Sequence, residues 1–452
     1  MSRFNRRSFL THSGIALAAS SQLGWLASNA HAGSGDDYCA MVCILLAGGA
    51  DSFNMLLPYD QNRYDTYASV RSDLALSRDD VLPLNYSGTD NQQFAVHPAL
   101  SETRRLFDSN ELAFVANIGP LAEPTSRADF DNDAARLPLG LFSHADQIAV
   151  WQTANAGNRA TTGFGGRVAD LLGPSSNLGP ISMNISLSGT NLFQTGLGVT
   201  GYAVDPGEGV RSVAGYDDGS EIFSTALDNM LAADYDSLFR RAYAARLRGA
   251  IDSGAELAAA LAAAPALNTQ FSAGGLSSAL AQVARLISVR QMLGVCRQTF
   301  FITVGGWDHH DEVLNNQANM LPGIDQGLAE FHAALTELGL LDAVTTFTIS
   351  DFGRTLTSNG RGSDHGWGGH NLIMGGGING GQVFGQYPDL SPGGELDLGR
   401  GRYLPTTSVD EFYAELALWF GVAAGEVSQV LPNIERFYNP AVDAPPLGLF
   451  AT

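Results

Sequence analysis

The stretch Gly305-Gly306-Trp307-Asp308-His309-His310-Asp311 places four ionisable side chains in a row behind two glycines. Asp oxygens and His nitrogens are the donors that hold divalent metals (Zn²⁺, Mn²⁺, Mg²⁺ or Ca²⁺), and the balance moves toward Zn²⁺ as the nitrogen share rises. The same donor types recur at Asp51, at Asp351, and at His365 and His370 in the segment Gly362-Ser363-Asp364-His365-Gly366-Trp367-Gly368-Gly369-His370. Asp51, Asp308, His310, Asp351, His365 and His370 are therefore candidate metal ligands. His309 and His310 are adjacent, so on an extended segment they point to opposite sides and only one of them is expected to be a ligand. Two metals about 4 Å apart would clamp the attacking and leaving oxygens of a phosphate ester. Arg354, three residues after Asp351, is a candidate to hold a free oxygen of that anion in bidentate fashion. Plainer readings stand beside these. Asp51 after Gly-Gly can cap the next helix, Arg354 can pair with an acid, and His97 and His332 read as structural.

Such groups work together only if the elements carrying them converge. Residues 39–47 are a continuous apolar run ending in Gly48-Gly49, the pattern of a strand buried on both faces of a parallel sheet. Residues 111–119 and 298–306 have the same form, a fourth run ends near Ser350, and 371–377 makes a fifth. Helical segments fall between them at 99–107, 163–172, 323–338 and 409–420. This alternation predicts an α/β fold with a mostly parallel central sheet flanked by helices. In open parallel sheets ligands lie beyond the carboxyl ends of the strands, and Asp51, Asp308 and Asp351 all follow such ends. Residues 180–275 read differently, as short strands and turns giving way to an alanine-rich helical stretch, and are expected to form an insertion or cap. Neither a Walker loop nor a GxGxxG motif follows a strand, and the glycines of 375–381 read as a turn.

Composition narrows the function classes. The chain has 452 residues, 45% of them hydrophobic and 16% charged, which is globular and ample for a large core. All 25 basic residues are arginine, and the net charge of −21 argues against nucleic acid or anionic lipid as partners. Cys39, Cys43 and Cys296 make no disulfide framework, and Cys39 and Cys43 stand too far apart along one strand to bridge.

The N-terminus reads as an address. Arg6-Arg7 precedes Ser8-Phe9-Leu10, a mild apolar stretch follows, and Ala30-His31-Ala32 is a small-x-small cleavage signal. This is the pattern of a twin-arginine export signal over residues 1–32, leaving 33–452 as a single domain with the insertion at about 180–275. No later stretch is long and apolar enough to span a bilayer. The expected location is periplasmic or secreted.

Several segments together resemble a known family. Residues 45–54 (LLAGGADSFN), 142–153 (FSHADQIAVWQT), 163–170 (GFGGRVAD), 305–311 (GGWDHHD), 350–355 (SDFGRT) and 364–381 (DHGWGGHNLIMGGGINGG) look like the twin-arginine-exported bacterial proteins of domain-of-unknown-function family 1501. The likeness runs from about Tyr38 to the C-terminus. That family is placed in the alkaline phosphatase and sulfatase-like superfamily, so the resemblance implies an alkaline-phosphatase-like sheet with metals at the strand ends. It implies metal-binding roles for Asp51, Asp308, His310 and Asp351, and for His365 or His370 as the last histidine. Phe352 stands where the superfamily places a second-site histidine. The nucleophile would be a hydroxyl at a helix N-terminus after the second strand. Ser143 is the first candidate and Ser52 and Ser126 are alternatives, while the lack of a cysteine there disfavours a formylglycine-type sulfatase. The resemblance thus implies an exported metal-dependent hydrolase of phosphate or sulfate esters acting on an anionic ester substrate. The alternative, supported by Phe352, is a catalytically inactive exported protein that keeps the fold and binds an exported protein partner.

Overall fold

In the computed structural model the described residues are 38–450, apart from 87, 89, 90, 178, 180, 200, 208, 211–215 and 217–220. The expected export signal at 1–32 lies outside them. The apolar, β-branched runs form the strands. They are β1 (Cys39–Leu46), β2 (Leu56–Pro58), β3 (Leu82–Pro83), β4 (Phe94–Val96), β5 (Leu112–Gly119), β6 (Asn184–Ser186), β7 (Tyr202–Ala203), β8 (Arg297–Val304), β9 (Val344–Ser350), β10 (Gly369–Gly375), β11 (Val383–Gly385) and β12 (Thr407–Ser408). The main sheet runs β11-β5-β10-β9-β1-β8-β6-β7, with β12 also on β5, while β2, β4 and β3 make a small separate sheet. Strands β9, β1, β8, β6 and β7 are parallel, and β10 runs against both of its neighbours. The sheet is mostly parallel and flanked by helices, as the alternation of apolar runs and helical segments predicts.

Register decides what lies at the site. Leu46 pairs with Val304 on one side and Ser350 on the other, so β1, β8 and β9 end level. Their following loops carry Asp51, Asp308 and Asp351 to one edge. Because β10 is reversed, its first residue Gly369 lies beside Ile118 near the end of β5. The loop between β9 and β10 therefore starts and finishes at this same edge, and brings His365 with it. Gly48 lets two of these loops touch. Its φ is +121°, and a Cβ there would lie 2.5 Å from the Asp308 backbone nitrogen. A side chain at this position would force the β1 and β8 loops apart.

Both faces of the sheet are buried. Met41, Cys43 and Leu45 pack with Phe412, Tyr413 and Leu416 of helix Val409–Phe420, while Val42, Ile44 and Leu46 are buried on the opposite face. The three cysteines are not joined in disulfides. Helix 323–338 of the sequence reading is in fact Val313–Glu337, with Pro322 inside it. Its first turns are rich in Asn and Gln and show no apolar period, which hid its start. The expected insertion at about 180–275 holds strands first and helices after them. Strands β6 and β7 extend the main sheet, which leaves helices Glu221–Ala232 and Leu238–Ala262 as the part that can stand apart. Among the described residues, no helix is long and apolar enough to cross a membrane.

One buried acid sets a pH dependence. Asp410, in the first turn of helix Val409–Phe420, is buried with Oδ1 unpartnered. Burial pushes its carboxyl up to about 8, against the pull of Arg167. In the unfolded chain an Asp titrates near ~4. Between those values the folded protein holds a proton that the unfolded chain has lost, so stability falls as pH rises through that window. Asp410→Asn is expected to remove most of this slope, on the order of 3 kcal/mol between pH 5 and pH 8. Urea unfolding at both pH values checks it, and equal slopes in the two proteins would refute it.

Candidate metal centre

Four side chains meet at the carboxyl edge of the sheet. Asp308 follows β8 and its side chain is 48% exposed. Its Oδ1 lies 3.1 Å from His310 Nε2 and 3.6 Å from His365 Nε2, and its Oδ2 lies 3.5 Å from His144 Nε2. His310 Nε2 and His365 Nε2 are 2.9 Å apart. His144, Asp308 and His365 each offer a ligand atom within 4.8 Å of the others. A tetrahedral ion with bonds of roughly 2.0–2.2 Å sets its ligand atoms roughly 3.3 Å apart.

The other ring nitrogens are tied down in a way that fixes the tautomers. His365 Nδ1 donates to the Phe142 carbonyl at 2.8 Å, and a carbonyl can only accept. His144 Nδ1 donates to Asp351 Oδ2 at 2.7 Å. His310 Nδ1 faces Asp364 Oδ1 at 3.3 Å. The Asn359 amide, against a burial penalty that ranks next and with Arg400 behind it, holds the Asp364 carboxyl down at about 2, so it too accepts. Each ring is thus held through Nδ1 with its Nε2 facing the cluster. His310 Nε2 and His365 Nε2, 2.9 Å apart, can share one hydrogen or face one cation. Burial lowers the His365 pKa. His144, Asp308 and His365 thus fit a single divalent ion, with His310 beside them, and a donor set of imidazoles and a carboxylate suits Zn²⁺.

Other groups hold these ligands in place. Burial alone would raise the Asp308 carboxyl, but its hydrogen bond to the Arg354 guanidinium keeps it below the ordinary value. Arg354 is fully buried. Its Nε donates to the Gly49 carbonyl, one terminal nitrogen to the Ser363 carbonyl, and the other to the Gly48 carbonyl and to Asp308. The expected bidentate grip on a substrate anion is corrected accordingly, because this guanidinium is spent on tying three loops together. Asp351, 1% exposed, accepts from the Gly48 N–H with Oδ1 and from His144 with Oδ2. It stands behind a ligand, not among them. Phe352 packs its ring 4.8 Å from that of His144 and 4.4 Å from that of His365, fixing both imidazole planes.

Two expected ligands lie elsewhere. Asp51 is fully buried in an ion pair with Arg71 at 2.5 Å and accepts from Ser363 Oγ at 2.6 Å. It occupies the N-cap position of the short helix Ser52–Asn54 without capping it through the side chain. His370 is buried, accepts the Asn117 N–H at Nδ1, and stacks on Tyr387 with ring centroids 4.6 Å apart. Burial lowers its pKa to about 3, so the ring is neutral. His309 is buried, and Asp311 is exposed. Ser52 Oγ accepts the His370 N–H, and Ser126 caps helix Arg127–Asp131, so both hydroxyls have structural work. Ser143 sits at the N-cap of the ten-residue helix His144–Thr153, with Oγ donating to Asp146 Oδ2 at 3.0 Å. The candidate ligand that the sequence alone does not single out is His144. The signal was its place beside Ser143, as the first residue of a helix following β5.

The family model described as "Protein of unknown function (DUF1501)" matches residues 39–430. Among curated proteins, no sequence matches. Solved structures with partial likeness include the C-terminal periplasmic domain of EcEptC from Escherichia coli in complex with Zn, at 8% identity over 75% of this chain and 74% of that one, with a TM-score of 0.31. PsFucS1 sulfatase from Pseudoalteromonas sp. is 11% identical over 85% of this chain and 68% of that one, with a TM-score of 0.34. The lipoteichoic acid synthase LtaP from Listeria monocytogenes is 8% identical over 92% and 76%, with a TM-score of 0.27.

Proposed function

We propose that this chain, which belongs to the DUF1501 family of proteins of unknown function, is an exported hydrolase of phosphate or sulfate esters that works with one divalent metal. The observation that carries this reading is the convergence of three Nε2 atoms on Asp308, each imidazole being held through its Nδ1. Export rests on the Arg6-Arg7 segment and the Ala30-His31-Ala32 signal.

Asp308, His144, His310 and His365 would hold the ion, which when bound would supply Lewis acidity toward an oxygen of the anionic ester. Asp351, Asp364 and the Phe142 carbonyl keep the imidazoles oriented. Arg354 keeps Asp308 ionised and in place. Ser143 is the proposed nucleophile. It stands at a helix N-terminus, where backbone N–H groups favour developing negative charge, and Asp146 already accepts its hydroxyl hydrogen.

Metal analysis of the purified protein, followed by assays on aryl phosphate, phosphodiester and aryl sulfate, tests the proposal. The expected result is one Zn²⁺-class ion per chain and ester cleavage that falls at least about a hundred-fold in Ser143→Ala with the ion retained. A metal-free protein, inert after reconstitution, refutes it. The second reading, an exported binding protein, draws on the Asp51–Arg71 pair, which leaves Asp51 no free charge for a second ion. It would show as a stoichiometric exported partner whose binding survives Asp308→Ala.

A further inference from the structure

We infer that a cleft beside the metal centre receives the organic part of the ester and selects a compact, uncharged group with an apolar face. This deepens the ester-hydrolase reading and rests on it. The cleft holds about 280 Å³ between helix His144–Thr153 and the ends of β1 and β8. That is near the lower limit for small-molecule sites, so one ring-sized group fits.

Its walls follow from the periodicities of the elements. Ala145, Ile148, Ala149 and Gln152 recur on one face of the helix and make one wall. Leu45, Phe301 and Thr303, on the adjacent β1 and β8, make the other. The loop 188–192 closes the side. The cleft adjoins the cluster through the chain itself. Ala145 follows His144 directly, and the β8 strand that supplies Phe301 and Thr303 runs on to Asp308.

The chemistry of the lining sets the specificity. No ionisable side chain lines the cleft. Its polar groups are largely committed. Gln152 Oε1 accepts from the Leu192 and Phe193 N–H groups, Asn191 bonds Gln194 through both ends of its amide, and Ser188 Oγ accepts from the Thr303 N–H. A charged group placed here meets no ionisable partner, whereas an apolar face finds Phe301, Ile148 and two alanines.

The test uses the metal-loaded protein with phenyl phosphate and O-phosphoserine as substrates, and phenol as a neutral probe of the cleft. Phenyl phosphate should be cleaved with a kcat/KM at least about ten-fold above that of phosphoserine. Ala149→Trp, and the milder Ala149→Leu, should raise KM for phenyl phosphate about ten-fold or more with kcat and metal content unchanged, and should abolish phenol binding measured by calorimetry. Equal use of the two substrates, or unchanged KM and phenol binding in Ala149→Leu, would overturn the inference. If phenol binds and Ala149→Trp abolishes that binding while no ester is cleaved, the cleft stands as a site for neutral groups and the hydrolase reading falls.

Discussion

Asp351→Asn is expected to weaken metal binding about 10- to 100-fold while leaving the fold intact, although Asp351 itself touches no metal. The carboxylate does two jobs with its two oxygens. Oδ1 accepts the Gly48 N–H at 3.0 Å and Oδ2 accepts His144 Nδ1–H at 2.7 Å. An asparagine has one accepting oxygen for two donors. If its oxygen stays with Gly48, the amide NH₂ faces His144, and the imidazole must turn its lone pair to Nδ1 and its hydrogen to Nε2. That hydrogen would point at Asp308, and one of the four ligands would be lost. If the amide flips, the Gly48 N–H loses its partner, and the loop that meets the Asp308 backbone loosens. Chelator competition measures the affinity, and His144→Ala should show the larger loss because it removes the donor outright. His370→Gln is the control. Its ring is committed to Asn117 and Tyr387, so metal affinity should not change. A normal affinity in Asp351→Asn, or a large loss in His370→Gln, would mean that the ligands are assigned to the wrong histidines.

The contrast between Asp351 and His144 also shows what was legible in the sequence. Apolar runs ending in glycine gave away the strands, and the parallel-sheet rule placed Asp308 and the loop of His365 at one edge. What it did not reveal is depth. Asp51, Asp308 and Asp351 all follow strand ends and look equivalent as letters. The register of β1 with β8 and β9 leaves Asp308 half-exposed while Asp51 and Asp351 sink beneath it. Asp51 was unreadable as an ion-pair partner because its cation, Arg71, ends a polar helix, Gln61–Arg71, that carries no apolar stripe. His144 was missed for a related reason. It reaches the cluster because β5 ends at the same edge and helix His144–Thr153 starts there, and neither fact is written in the residues around it. The longer helix 313–337 shows the limit of periodicity, since its polar first turns carry no apolar pattern.

The second large effect separates burial from ligation at Asp51. Asp51→Ala is expected to destabilise the fold by about 3–5 kcal/mol without releasing the metal. Arg71 is fully buried, and its remaining donors go to neutral acceptors: Nε to Asn54 Oδ1 at 3.1 Å, and a terminal nitrogen to the Thr355 and Leu356 carbonyls at 3.1 Å each. Only Asp51 balances its charge at close range. Deleting that carboxylate strands a guanidinium in the core and also frees the Ser363 hydroxyl, which now donates to Asp51. A buried pair removed as a pair behaves differently, because both desolvation penalties vanish together. Asp51→Ala with Arg71→Met should therefore recover most of the stability lost in Asp51→Ala alone, a coupling that a double-mutant cycle in urea would read directly. Metal content decides between the two roles. One ion per chain retained in both variants places Asp51 in the scaffold beneath the site. Loss of the ion from the refolded double variant, with its stability restored, would put Asp51 back among the ligands.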